Sequence, residues 1–334
     1  MNQISPATAV DNEGRCAASP GSPRGAVPLI VFPVAVTVFF AAVSVAWLPS
    51  STIEFSTDNF IALARILAML ILLRGIAWAV IRRFRDDPSP IAGFVRRSAE
   101  GLSLLVKAGV IFAPFAHCSG LYMYLASNTS APLMDAQLVA IDAALGFHWL
   151  TFLGIANASS LVSTVLVGAY HSTGMVMAAT MVYLSVSLRE SRLMELLALL
   201  ALTSLCTGVL MALVPAAGAY AWFQPSREVF SNFTENAGMW HYTELRALRS
   251  GAPFTYLTAQ SSGLVTFPSF HTVLGVIISY AVRGIPYVAL VVIPLNVVMI
   301  VATLPEGGHY LIDVIAGLVI GLTSIVIVRF CSTT

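Results

Sequence analysis

The sequence predicts an all-α integral membrane protein of about eight transmembrane helices, and three observations carry that prediction. Of its 334 residues, 57% are hydrophobic and only 10% are charged, whereas soluble domains carry about 25% charged residues. The apolar residues fall in runs close to the roughly 20 residues a helix needs to cross a hydrocarbon core. Basic residues gather in alternate connections between those runs, the pattern expected of chain crossing and recrossing a bilayer. With 17 basic against 16 acidic residues and a formal net charge of +1, no overall basic field exists to hold nucleic acid.

Residues 1–28 are rich in Pro, Gly, Ser and Ala, a composition unable to bury enough apolar surface to fold, so they are expected as a disordered cytoplasmic tail. The run at 29–48 exceeds the roughly 7–15-residue core of a secretory signal and reads as an uncleaved first span. Further spans are expected at 59–81, 102–126, 158–186, 194–215, 268–283, 285–304 and 308–329. The first two, with the basic connection to residue 100, form an N-terminal addition to a core at 101–334. Arg82, Arg83, Arg85, Arg96, Arg97, Arg189, Arg192, Arg283 and Arg329 then share one side, while 49–58 and 127–157 contain no Lys or Arg. The positive-inside rule puts that basic side, and both termini, in the cytoplasm. An outward-facing site and no organelle signal point to a bacterial inner membrane, with the site toward the periplasm.

Several residues read as structural. Arg65, Arg74 and Lys107 are expected to snorkel toward head groups. His117 and His171 are expected to make interhelical hydrogen bonds. Around Leu138, Ile141, Ala144 and Leu145, residues 135–149 have the spacing of an amphipathic helix in the outer interface, with Asp135 and Asp142 on its polar side. Cys16, Cys118, Cys206 and Cys331 have no metal-site or disulfide spacing and read as packing residues or idle thiols.

Chemistry concentrates in Phe267-Pro268-Ser269-Phe270-His271-Thr272 and Gly307-Gly308-His309-Tyr310-Leu311-Ile312-Asp313. His309 and Asp313, four apart, share a helix face, so the carboxylate can fix one ring nitrogen and leave the other as nucleophile or base. His271 can supply the matching acid. Pro268 suits the first turn of a helix and would leave the amides of Ser269, Phe270 and His271 unpaired. Gly307 and Gly308 let backbone approach a ligand before the last helix, so two helix starts could cradle a phosphate. Arg246 and Arg249, three apart, offer guanidinium groups to the same anion. In the connection at 216–267, Trp222, Phe223, Phe230, Phe233, Trp240 and Tyr242 are expected at the interface over the site.

These motifs resemble the type 2 phosphatidic acid phosphatase superfamily of lipid phosphatases and phosphotransferases, most closely its branch with the inositol phosphorylceramide synthases. The resemblance implies a six-helix membrane core, here about 100–329, without metal or cofactor. It implies that His309 becomes phosphohistidine, that Asp313 orients it, and that His271 is acid to the leaving oxygen and then base to the acceptor. It also implies that Ser269 and the amides around Phe270 and Gly308 bind phosphate oxygens. The substrate would be a lipid phosphate, with water or a second lipid alcohol as acceptor. Phe270 stands where the superfamily's phosphatases usually have glycine, and Ala302-Thr303 where they have Ser-Arg; Arg246 and Arg249 are the candidates for the missing charge. Two other readings of the residues stay open: a lipid transporter or flippase using the same basic pocket, and a metal hydrolase with His271, His309 and Asp313 as ligands.

Overall fold

The computed structural model describes residues 27–333, so almost all of the expected tail, Cys16 included, lies outside the described residues. The chain is helical nearly throughout. Val31–Trp47 (α1) and Asp58–Arg83 (α2) form an N-terminal pair, followed by Pro90–Ser127 (α3), Asp135–Ala144 (α4), Trp149–Asn157 (α5), Ser160–His171 (α6), Thr173–Val186 (α7) and Glu190–Leu213 (α8). Two short helices, Ala219–Phe223 (α9) and Tyr242–Arg249 (α10), lie in the long connection before Phe270–Ala281 (α11), Pro286–Ala302 (α12) and Leu311–Thr333 (α13). The two short strands, Ile53–Phe55 (β1) and Phe254–Tyr256 (β2), pair in parallel.

All eight apolar runs expected as spans fold as helices. Among the described residues five helices are long and apolar enough to cross a membrane, and seven if each bent pair counts as one span. The run at 158–186 is one such pair, α6 and α7, bent by 50°. Helices α11 and α12 are shorter, at 12 and 17 residues. Helix α3 starts a dozen residues before the expected boundary, because Ser89 accepts the Ala92 amide at 3.2 Å and Pro90 fills the first turn, where its missing N–H costs nothing. The amide of Val27 donates to the carbonyl of Cys331 at 2.9 Å, so the two ends of the described chain meet at one end of the bundle. Arg192 reaches the carbonyl of Arg283 at that same end.

Helix α8 runs through the middle. Leu193, Leu196, Leu197 and Leu199 join Phe40, Leu104, Phe115, Val273 and Ile277 in the main apolar cluster. At the other end, Trp149, Leu153, Leu166, Tyr220, Phe230, Phe233 and Tyr310 make a second cluster beneath the long connection.

The stretch 135–149 is corrected. It is not one interfacial helix: α4 stops at Ala144, Gly146 turns with φ +75°, and α5 leaves at 77°. Its expected polar side is the inner one, with Asp135 and Asp142 both 3% exposed and Ile141 and Leu145 outward. Carboxylates that accept backbone amides bury more favourably than a hydrophobic face would when lipid can cover that face instead. His117 is also corrected, since its Nδ1 bonds the Ala113 carbonyl of its own helix at 3.0 Å rather than a neighbour.

Candidate functional site

Two helices cross closely beneath the site. A side chain at Gly317 would strike the Ser269 carbonyl at 2.6 Å, and one at Gly321 would strike Val276 at 2.8 Å, so the Gly-x-x-x-Gly face of α13 lets α11 approach backbone to backbone. The amide of Ser269 donates to the carbonyl of Asp313 at 3.0 Å. The two histidine motifs are therefore joined by main chain, not only by side chains.

His309 lies in the turn before α13 and is 3% exposed. Its Nδ1 is 3.3 Å from Asp313 Oδ2, which also accepts the Tyr310 amide at 2.9 Å. Asp313 is wholly buried and its Oδ1 has no partner among the described residues. The Thr266 carbonyl faces the His309 ring. His271, on the first turn of α11, lies within electrostatic range of both His309 and His171. Its ring stacks on Tyr170 with centroids 4.4 Å apart. A Cβ at Gly307 would sit 2.8 Å from the Tyr170 ring and 3.2 Å from the His309 ring, so the glycine is where the turn slips between the two aromatic groups.

The phosphate cradle expected from two helix starts is half occupied. Ser269, not Pro268, is the boundary residue of α11: its Oγ accepts the Thr272 amide at 3.4 Å and the Thr272 hydroxyl at 3.1 Å. Its own amide is taken by the Asp313 carbonyl, which leaves those of Phe270 and His271 without a partner among the described residues at the start of α11. At α13, Asp142 reaches across from α4 and accepts the amides of Leu311 and Ile312 at 2.8 and 2.9 Å. An acid in that place does for the helix start what an anion would. Gly308 sits at φ +71°, its carbonyl accepting the Ala219 amide at 2.8 Å and its Cα packed against Gly238.

Arg246 is exposed on α10 and makes no ion pair among the described residues, while Arg249 donates to the Ala131 carbonyl with its other terminal nitrogen buried and unpartnered. Neither forms a hydrogen bond to His271 or His309 among the described residues. The Phe270 ring packs against the main apolar cluster.

Several residues of the site were not singled out from the sequence. Asp135 accepts the amides of Ala217 and Gly218 and the Tyr310 hydroxyl, all within 2.9 to 3.1 Å. Glu306, wholly buried, takes the His171 Nε2 at 2.8 Å and the Thr234 hydroxyl at 2.6 Å, and its carbonyl takes the Gly238 amide at 2.8 Å. His241, in the long connection, donates through Nε2 to the Ala217 carbonyl, 3.1 Å away; burial pulls its pKa down to about 4. Acidic residues in otherwise apolar outer segments were the available signal for Asp135 and Asp142, and Gly317-x-x-x-Gly321 for the helix crossing. In the long connection, Phe230 and Phe233 are buried, and Trp222 and Trp240 face outward.

Among the described residues, no three His, Cys, Asp or Glu side chains converge as metal ligands. What the arrangement offers is an imidazole oriented by a carboxylate, a second imidazole within range of it, and two free amides at the start of α11. A family model described as the PAP2 superfamily matches residues 136–327, from within α4 to within α13, leaving α1 to α3 outside the match. No curated protein and no solved structure was found to match the chain.

Proposed function

We propose a function from one premise: the chain belongs to the PAP2 superfamily, and so to a group of membrane proteins with phosphatase-type activity on lipid phosphates. On our reading it is a metal-independent lipid-phosphate phosphatase or phosphotransferase that works through a phosphohistidine at the extracytoplasmic face. The observation that carries this reading is the His309–Asp313 pair, tied to the His271 helix by the Ser269 to Asp313 hydrogen bond. That bond fixes the spacing between an attacking nitrogen and a proton donor, and positioning of this kind accounts for much of the catalysis of phosphoryl transfer.

In the first step His309 attacks phosphorus through the ring nitrogen not turned to Asp313, and the P–O bond to the lipid alcohol breaks as His271 gives that oxygen a proton. Asp313 stabilises the charge that develops on His309. The amides of Phe270 and His271 receive the phosphoryl oxygens. In the second step an acceptor hydroxyl loses its proton to a base, its oxygen bonds to phosphorus, and the P–N bond breaks with the electron pair returning to His309. Water as acceptor makes the protein a phosphatase, and a lipid alcohol makes it a phosphotransferase. Phe270, and Ala302-Thr303 in place of Ser-Arg, support a place beside the inositol phosphorylceramide synthases. The arginine-rich end of the bundle supports cytoplasmic termini and a periplasmic site in a bacterial inner membrane.

The test is a phosphate-labelled lipid donor supplied to the purified protein in vesicles, with and without alcohol lipids. Label should leave the donor in the wild type and stay on it in His309→Ala, a loss of at least about 10³-fold. Free phosphate identifies hydrolysis and a second labelled lipid identifies transfer. Lipid movement across the vesicle that persists in His309→Ala, with no transfer of label in either protein, would replace this reading with the transporter one.

A further inference from the structure

The N-terminal addition encloses a cavity of its own, outside the residues that match the family. Helices α1 and α2 each pack along α3 but scarcely touch one another, and the gap between them, floored by α3, holds about 220 Å³. Val45, Leu48, Phe60, Leu63 and Leu121 give it an apolar wall. Val45 and Phe60 are also 74% and 64% exposed on the flanks of two helices apolar enough to cross a membrane, so the cavity opens sideways, toward lipid. Ser44 lies near the end of α1 and Asn59 in the first turn of α2, which puts the cavity at the end of the bundle that holds the site. Asn59, which borders the cavity, bonds the Tyr256 carbonyl and the Thr258 amide in the connection leading to the His271 motif.

Two polar atoms are stranded there. Ser44, 1% exposed, and His117 both border the cavity, and Ser44 Oγ and His117 Nε2 are shielded from solvent with no partner among the described residues. A buried polar atom left unpaired costs about 1–3 kcal/mol, so each calls for a partner. The His117 ring says which kind. Its Nδ1 lies 3.0 Å from the Ala113 carbonyl, which only accepts, so the ring proton is on Nδ1 and the lone pair of the neutral ring is on Nε2. Nε2 therefore needs a donor, while Ser44 Oγ can donate or accept. A hydroxyl meets both needs. Water could meet them too, but it would leave the apolar wall uncovered; a dry apolar cavity of only about 150 Å³ already takes up benzene.

We propose that this cavity binds a membrane lipid carrying a free hydroxyl, which donates to His117 Nε2 while the lipid's hydrocarbon fills the space between α1 and α2. The binding stands whether or not the phosphohistidine reading does. A lipid alcohol is nevertheless what hydrolysis of a lipid phosphate releases and what transfer to a lipid consumes.

The test uses purified full-length protein in phosphatidylcholine vesicles, photolysed with a diacylglycerol that carries a diazirine in one acyl chain, after which the labelled peptides are mapped. Label should fall on the α1 and α3 segments around Ser44 and His117 and be displaced by excess plain diacylglycerol. The O-methyl ether of the same probe, which accepts but cannot donate, should label those segments about tenfold less. In His117→Leu the alcohol should lose its advantage and label no better than the ether. Because leucine replaces an unpartnered polar atom, that variant should melt no lower than wild type in detergent, so the lost advantage reads binding and not unfolding. Equal labelling by alcohol and ether in the wild type, label that plain diacylglycerol does not displace, or an advantage of the alcohol that survives in His117→Leu would overturn the assignment.

Discussion

The two ends of the bundle use acidic residues in opposite ways. At the end that holds the site, Asp135, Asp142, Glu306 and Asp313 are at most 3% exposed, and none is salt-bridged to Lys or Arg among the described residues. At the other end, Glu190 pairs with Lys107 at 2.5 Å and Glu195 with Arg283 at 2.8 Å, with both basic partners substantially exposed. A buried charge is expensive unless hydrogen bonds replace its water. The site end supplies them from backbone amides, hydroxyls and imidazoles contributed by distant parts of the chain: 217–218 for Asp135, 311–312 for Asp142, and 171 and 234 for Glu306. Acids there hold loops together, whereas acids at the opposite end neutralise surface cations.

If that contrast is right, the largest effect belongs to Asp142→Ala. It leaves the Leu311 and Ile312 amides without an acceptor at the start of the helix that follows His309, and should cost about 2–4 kcal/mol of stability. Thermal unfolding in detergent would read this, and Asp142→Asn should recover part of the loss. No change on removing the carboxylate would break the comparison at its strongest point.

A second effect, graded with pH and reaching its full size only in acid, concerns His241, which is buried in the long connection. Below its ordinary pKa of 6.5 the unfolded chain takes up a proton that the folded chain refuses until about pH 4. Stability should therefore fall as pH drops from about 6.5 toward 4, by at most about 1.4 kcal/mol per unit for this one group. His241→Gln should flatten that part of the curve of melting temperature against pH. An identical slope in the variant would show that the acid sensitivity arises elsewhere.

The smallest effect is expected at the opposite end. Arg283→Gln removes a partly exposed ion pair and should change stability by less than about 1 kcal/mol, with high salt reducing even that difference. A loss as large as that of Asp142→Ala would erase the distinction between the two ends.

Much of the fold was legible because lipid imposes length and apolarity on each span, and both are local properties of sequence. The His309–Asp313 pair was legible from its spacing, although His309 stands in the turn before α13 and meets Asp313 across the helix start, not along one helix face. Asp135 and Asp142 were misplaced to the outer side because their partners lie from some eighty to about 170 positions away, and periodicity within one segment carries no information about amides on another. Where Arg246 and Arg249 stand relative to the histidines depends on how α10 packs against α3, which no local pattern encodes. Ser269, expected to bind phosphate, also closes its own helix start by accepting the Thr272 amide, a second role for the side chain that sequence leaves undecided.

The parallel pairing of β1 with β2 has a consequence for the chain as a single thread. Ile53, Glu54 and Phe55 align with Phe254, Thr255 and Tyr256, and the Asn59 side chain bonds both the Tyr256 carbonyl and the Thr258 amide. The N-terminal helix pair is thus sewn to the long connection beside the site, while the peptide link between α2 and α3 is an exposed turn at 85–89. The seam predicts that covalent continuity at that turn is dispensable: a chain cut at 85–89 is expected to copurify as two fragments in detergent, and their separation on size exclusion would refute it.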